Sequence, residues 1–293
     1  MIYAILGPTC SGKSDLAEKL SLEFNIPILN FDAFQVYKEI KKGTAKPEIN
    51  DENKSRYYLY DFISIKENFD VMNYQKVARE LLEKFKDKDV ILVGGTGLYL
   101  KALLYDYKFQ EEEKMPDNYR ENETNNDLYE KLLEIDEEDA LKIGRNNRKR
   151  LLRALYIYEI HGKSKTDLNE NGKNKLVYEN VEFIGLNPDR ELLYSLINKR
   201  VDKMFENGLK DEIDYLFKNY DKSLRAFQAI GYKEFLTSND EGEIKELIKK
   251  NTRNYAKRQL TFFKNQFENV NWFENIEESY IYMKNKYKCS YNN

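Results

Sequence analysis

The sequence predicts an α/β protein: a parallel sheet flanked by helices, interrupted by an all-helical insertion. Three observations carry this. Short, fully apolar runs at Ile2–Leu6, Ile26–Leu29 and Val90–Val93 alternate with helical patterns. Such runs are the mark of strands buried on both faces by crossover helices. Between Tyr107 and Tyr178 no apolar strand run occurs, and strand-like Val181–Leu186 then resumes the pattern.

The elements follow in order. Ile2–Leu6 leads into a glycine-rich turn, after which Leu16, Ala17, Leu20 and Phe24 recur at helical spacing. Ile26–Leu29 ends near Asp32. Tyr74, Val77, Ala78, Leu81, Leu82 and Phe85 mark an amphipathic helix, and Val90–Val93 stops at Gly94-Gly95. In the insertion, Leu128–Leu133 and Leu151–Ile160 read as helices. Glu111–Glu113 and Glu134–Asp139 read as solvated acid, and His161–Lys175 is polar. Leu192–Phe205 and Glu243–Phe267 are long helical patterns, the second followed by Asn271-Trp272-Phe273. The predicted organisation is a core over 1–106, a helical insertion over 107–180, and core completion with C-terminal helices over 181–293.

Composition narrows the function classes. With 293 residues and 41% hydrophobic content the chain can bury a real core. No apolar run approaches the ~18–20 residues of a membrane helix, so no membrane partner is expected. Met1–Leu6 lacks a positive n-region and a cleavage site and reads as a strand. Cys10 and Cys289 suggest neither a disulfide framework nor a zinc site, and the expected location is cytoplasmic. His161 is the single histidine, which disfavours histidine-based catalysis.

The segment Gly7-Pro8-Thr9-Cys10-Ser11-Gly12-Lys13-Ser14 fits GxxxxGK[ST] between a strand and a helix, the context that motif requires. Backbone N–H groups and the helix N-terminus surround a phosphate, Lys13 adds charge, and Ser14 can hold Mg²⁺. The fold is therefore expected to be P-loop NTPase-like. Nucleotide hydrolases pair this loop with an apolar strand ending in Asp. Here Val90–Val93 ends in glycines, which counts against a water-attacking enzyme. Asp32, at the carboxyl end of the second strand, is the nearest candidate carboxylate, with a helix N-cap as its alternative reading.

Charge is segregated. The formal net charge of −3 argues against a nucleic-acid partner when taken as a sum. Yet Arg145, Arg148, Lys149, Arg150 and Arg153 crowd one helix, and Lys249, Lys250, Arg253, Lys257, Arg258 and Lys264 lie along another with Tyr255, Phe262 and Phe263 interleaved. Each cluster alone reads as a solvated helix face. Together with a phosphate loop they point toward an anionic macromolecule or a phosphate lid, since a partner sees local potential within about 8–10 Å.

An ordered series of blocks resembles the tRNA dimethylallyltransferase family almost end to end. These are Gly7–Ser14, Asp32-Ala33-Phe34-Gln35-Val36-Tyr37, Gly43-Thr44-Ala45-Lys46-Pro47, Val93–Leu103, Arg150–Leu155, Ile184-Gly185-Leu186, Arg200-Val201-Asp202, Ala229–Glu234 and Thr252–Gln259. Ala33 stands where that family usually has Ser, Tyr57-Tyr58 near its His pair, and Ser14 in place of Thr.

The resemblance implies transfer of a dimethylallyl group from dimethylallyl diphosphate to the N6 amine of adenosine 37 in a tRNA anticodon loop, with Mg²⁺ and release of diphosphate. It implies Asp32 as general base, Thr9 and Arg200 as catalytic partners of the diphosphate, and Gly7 to Ser14 (with Pro8, Cys10, Ser11, Gly12 and Lys13) as its cradle. Asp32, Ala33, Phe34, Gln35, Thr96, Arg120, Lys149, Arg150 and Arg153 are implied tRNA contacts, the insertion gripping the anticodon stem-loop. The enzyme is expected to be a monomer. A small-metabolite kinase, a transferase acting on free adenine nucleotides and a non-catalytic nucleotide-gated RNA-binding switch remain rival readings.

Overall fold

The computed structural model describes residues 1–107, 115–164, 166–167 and 175–291. Glu111–Glu113, part of the polar stretch 161–175 and the side chain of Cys289 lie outside what is described. In chain order the elements are β1 (Ile2–Leu6), α1 (Lys13–Phe24), β2 (Ile28–Asn30), β3 (Tyr57–Tyr58), α2 (Val71–Lys84), β4 (Val90–Val93) and α3 (Gly97–Leu104). Then come α4 (Asn125–Ile135), α5 (Glu137–Ile143), α6 (Arg148–His161), β5 (Val181–Leu186), α7 (Arg190–Glu206) and α8 (Leu209–Asn219). The last are α9 (Glu241–Gln266), β6 (Asn271–Phe273) and α10 (Ile276–Tyr291).

Internal contacts divide the chain into two units, Met1–Leu104 with Tyr178–Asn293, and Tyr105–Val177. In the first, six strands run in the order β3-β2-β4-β1-β5-β6, every pairing parallel. β1 is central because Tyr3 to Leu6 are apolar on both faces and fully buried. Its Ala4 stands opposite Leu92 of β4 and Phe183 of β5. α1 covers one face with Leu16, Ala17 and Leu20, and Met283 of α10 joins the same cluster. Asp70 starts α2 by accepting from the Met72 and Asn73 amides, while Asn73 returns a bond to Asp70.

The edge strands β3 and β6 were not foreseen: each is two or three residues of mixed polarity, too short for a periodic signal. β6 explains a glycine, since a Cβ at Gly185 would lie 2.3 Å from the Trp272 ring. Tyr57 and Tyr58 form β3 and pack edge-on against Tyr60 and Phe85.

The second unit packs α4, α5 and α6 around Leu128, Leu132, Ala140, Leu151 and Leu155. Its two chain crossings meet where Asp106 N–H donates to Lys175 O at 2.9 Å beside a Tyr105–Leu176 bridge. The sequence reading set this segment at 107–180. Residues 178–180 lie instead in the first unit, where Ile2 N–H donates to Asn180 O at 2.8 Å. The acid at 134–139 is not all solvated. Asp136 and Asp139 are buried, and Asp136 caps α5 while accepting from the Thr166 amide and hydroxyl. Burial pushes the Asp136 carboxyl up, but these bonds outweigh it and hold the group below the usual carboxylate range.

Candidate active site

The loops after β1, β2 and β4 emerge on one edge of the sheet, the carboxyl edge where ligands bind in open α/β folds. The first is the phosphate loop. Gly12 turns it into α1 at φ +89°, and a Cβ there would lie 2.4 Å from Ile276 Cδ1, so only glycine fits. No side chain caps the N-terminus of α1, which leaves its first amides open to an anion. Ser11 Oγ is buried without a partner. Lys13 Nζ donates to Pro8 O at 2.6 Å. Burial is the main cause that lowers its pKa to about 8; Arg200 adds to the fall, while Cys10 and Asp32 oppose it. An anion in the loop would reverse that shift.

Arg200 reaches the loop from α7. Its Nη1 donates to Thr9 Oγ1 at 2.7 Å and approaches Cys10 Sγ at 3.5 Å, while its buried Nε has no partner. Ser14 is exposed at the head of α1, and its hydroxyl shares the cavity with the Asp15 and Asp32 carboxylates. Among the described residues no group of three His, Cys, Asp or Glu could hold a metal alone. This sparse oxygen donor set fits Mg²⁺, which keeps waters and substrate phosphates in its shell.

Asp32 follows β2. Both readings of it hold, one per oxygen. Oδ1 accepts from the Phe34 and Gln35 amides at 2.9 and 3.3 Å, capping the turn. Oδ2 faces the loop after β4, where a Cβ on Gly95 would lie 2.7 Å from it. The Asp32 amide donates to Asn30 Oδ1 at 2.9 Å, so both ends of the residue are fixed. Gln35 Nε2 donates to Thr44 O at 3.0 Å, and Phe34, Gln35 and Thr44 line the cavity. Thr96 Oγ1 accepts from the Ala33 amide at 3.0 Å. Thr96 thus grips the Asp32 turn; neither it nor Ala33 lies on the cavity wall.

The cavity measures about 510 Å³. Its lining divides between polar residues, among them Thr9, Lys13, Ser14, Asp32 and Arg200, and apolar ones, among them Val201, Met204, Ala229, Ile230 and Ile248. That division suits a ligand with an anionic head and a short apolar tail.

The basic clusters separate by role. Arg120 is held in ion pairs with Glu123, at 2.8 Å, and Glu159, and it also donates to Tyr119 Oη at 2.9 Å. Arg148 donates to the carbonyls of Arg120, Glu121 and Glu123, and Arg145 pairs with Glu130 at 2.8 Å. These three organise the helical unit, whereas Lys149, Arg150 and Arg153 stand exposed on α6. On α9, Lys249 is tied to Asp202 and Glu246, and Arg253 to Asn198 at 2.7 Å. Arg258 lines the cavity, and Lys250, Lys257 and Lys264 form an exposed stripe.

Two site residues escaped sequence reasoning. Gln259 Oε1 accepts from the Thr9 amide at 2.8 Å, its Nε2 donates to Gly95 O at 2.8 Å, and Tyr255 Oη donates to the same carbonyl at 2.9 Å. The available signal was polarity on an apolar stripe: Tyr255 and Gln259 fall among Ile248, Ala256 and Phe263 on the inward face of α9.

Residues 35–266 match the family model described as IPP transferase. A tRNA dimethylallyltransferase of Malacoplasma penetrans is 38% identical over 283 residues, covering 94% of this chain and 93% of its own. The solved tRNA delta(2)-isopentenylpyrophosphate transferase of Staphylococcus epidermidis is 34% identical with a TM-score of 0.69, covering 99% of this chain and 98% of that one. A eukaryotic dimethylallyltransferase, solved in a study of its action on tRNA, is 28% identical with a TM-score of 0.76, over 89% of this chain and 69% of that one. With most of its length matched in this way, the chain belongs to the IPP transferase family.

Proposed function

We propose that this protein transfers the dimethylallyl group of dimethylallyl diphosphate to the N6 amine of adenosine 37 in the anticodon loop of tRNA. The observation that carries the reading is one cavity lined by Asp32, the phosphate loop and Arg200 together. The bond from the allylic carbon to the diphosphate oxygen breaks, its electron pair leaving with diphosphate. The N6–carbon bond forms, and Asp32 takes the displaced N6 proton.

Lys13, the α1 amides, Thr9 and Arg200 stabilise the charge that develops on the leaving group. Mg²⁺ at Ser14 would add charge neutralisation on the diphosphate oxygens. The apolar part of the lining receives the five-carbon tail and excludes water. An anticodon-loop base is cheap to extrude into such a cavity. Lys149, Arg150 and Arg153 supply phosphate contacts to the anticodon stem, which position the RNA without reading sequence. The enzyme is cytoplasmic and monomeric in this reading, as the family resemblance implies; among the described residues no helix is long and apolar enough to cross a membrane.

The test is co-substrate choice. With tRNA and Mg²⁺, carbon-labelled dimethylallyl diphosphate should pass its label to the RNA and release diphosphate. ATP consumption without label transfer would favour a kinase, and tight nucleotide binding with unchanged tRNA would favour a switch.

A further inference from the structure

Thr9 and Asp32 must hold a fixed separation, because the leaving oxygen, the allylic carbon and the attacking nitrogen react in line. The sheet ladder sets the strands, but neither residue is itself paired in it. Thr9 follows β1 and Asp32 follows β2, and β4 lies between those strands. The loop after β4 therefore stands between the two groups. Its Gly95 packs so closely on Asp32 Oδ2 that a Cβ would lie at 2.7 Å. On its other side, Gln259 bridges Gly95 O and the Thr9 amide with two 2.8 Å hydrogen bonds.

We infer that Gln259 is a positioning residue that sets the spacing between the leaving-group side and the base side of the cavity. The inference rests on the prenyl-transfer reading above. Gln259 is 4% exposed and spans from Thr9 on the phosphate loop to Gly95. A primary amide accepts at one end and donates at the other without charge, as this bridge requires. Arg200 extends the line through Thr9 Oγ1, so Arg200, Thr9, Gln259, Gly95 and Asp32 form one connected series. Misplacement by about 1 Å can cost about 100-fold in rate.

Gln259→Glu tests this with near-constant shape. Ionised, the carboxylate still accepts from Thr9 but repels Gly95 O; protonated, it donates to Gly95 O and restores the bridge. The titratable and charged groups on the same cavity are Cys10, Lys13, Asp15, Asp32, Tyr60, Arg200, Lys233, Tyr255 and Arg258, all shared with the wild type. The ratio of variant to wild-type kcat therefore isolates position 259.

At about pH 8 that kcat should fall about 30- to 100-fold, with the Kd of dimethylallyl diphosphate and of tRNA each within about threefold. The ratio should recover at least about fivefold toward pH 6. A kcat within about twofold of wild type, a loss confined to either Kd, or a pH-independent ratio would overturn the inference. Should Gln259→Glu fail to fold, Gln259→Met carries the test: the same kcat loss without acid recovery supports the inference, and unchanged kcat overturns it. Wild type assayed alongside separates the two readings. No transfer by wild type overturns both, whereas an unimpaired variant beside active wild type overturns this one alone.

Discussion

Arg200 Nη1 donates to the Thr9 hydroxyl at 2.7 Å, across 191 residues of sequence. The bond fixes a guanidinium beside the phosphate loop and still leaves the buried Nε with no partner. An unspent donor at a preorganised site is available to an oxyanion that forms later, which is the arrangement that lowers a barrier without reorganisation.

Arg200 and Thr9 should therefore act as a unit. Arg200→Gln should lower kcat/KM for dimethylallyl diphosphate about 100-fold and Thr9→Val about 10-fold or more. The double variant should be no more than about threefold worse than Arg200→Gln, because contacting residues are not additive. Steady-state kinetics on the four proteins checks this; full additivity would place the two in separate roles.

Lys13, held at about pKa 8 by burial, is charged below that pH and neutral above it in the free enzyme. Affinity for the diphosphate should thus be highest below about pH 8 and fall by up to about tenfold per pH unit above it. Binding near pH 8.5 should take up protons, read by calorimetry in buffers of different ionisation enthalpy. The sign for folding is set the same way. Between about pH 8 and the ordinary 10.5 the unfolded chain binds more protons at this group, so its burial costs stability below that window and the cost fades as pH rises through it. Lys13→Met should abolish the proton uptake.

Gly95→Ala places a methyl group 2.7 Å from Asp32 Oδ2 and 2.8 Å from Gln259 Nε2. Both neighbours belong to the reacting geometry and neither is a loose surface chain. The expected outcome is a kcat loss of about 10- to 100-fold, with tRNA affinity nearly unchanged. Single-turnover prenylation beside a filter-binding assay separates the two quantities.

In the helical unit, the cations exposed on α6 and the ion-paired Arg120 should part company. Lys149, Arg150 and Arg153 changed together to Ala should weaken tRNA binding and reduce its salt slope by about 2 to 3, one step per phosphate contact. Arg120→Ala should lower the thermal stability of that unit, since it removes the ion pairs to Glu123 and Glu159, leaving Glu123 only its pair with Lys131, and opens Arg120's bond to Tyr119. An unchanged salt slope for the triple variant would remove α6 from the interface.

The central strands and the phosphate loop were legible because their physics is local. β1 and β4 are continuous apolar runs, β5 is apolar but for Glu182, and the loop signals itself by fixed glycines between a strand and a helix. What stayed hidden depends on distant partners. β3 and β6 gain their identity from pairing at the sheet edges, and the burial of Asp136 depends on Thr166, 30 residues away, helping to satisfy its oxygens. Arg120 reads as one more cation until Glu159 is seen beside it. Gln259 lies 250 residues from Thr9, and its place on an apolar stripe marks it as buried without naming the partner it meets.

The most direct measurement is the mass of the anticodon-loop fragment after tRNA is incubated with dimethylallyl diphosphate and Mg²⁺, comparing wild type with Asp32→Asn. Loss of a positioned general base typically costs about 10²–10⁴ in rate. Wild type should add one dimethylallyl group to a single adenosine, while Asp32→Asn should leave the fragment unmodified on the same timescale and still bind tRNA within about threefold. An unmodified fragment with wild type, or near-normal turnover by Asp32→Asn, would contradict the account.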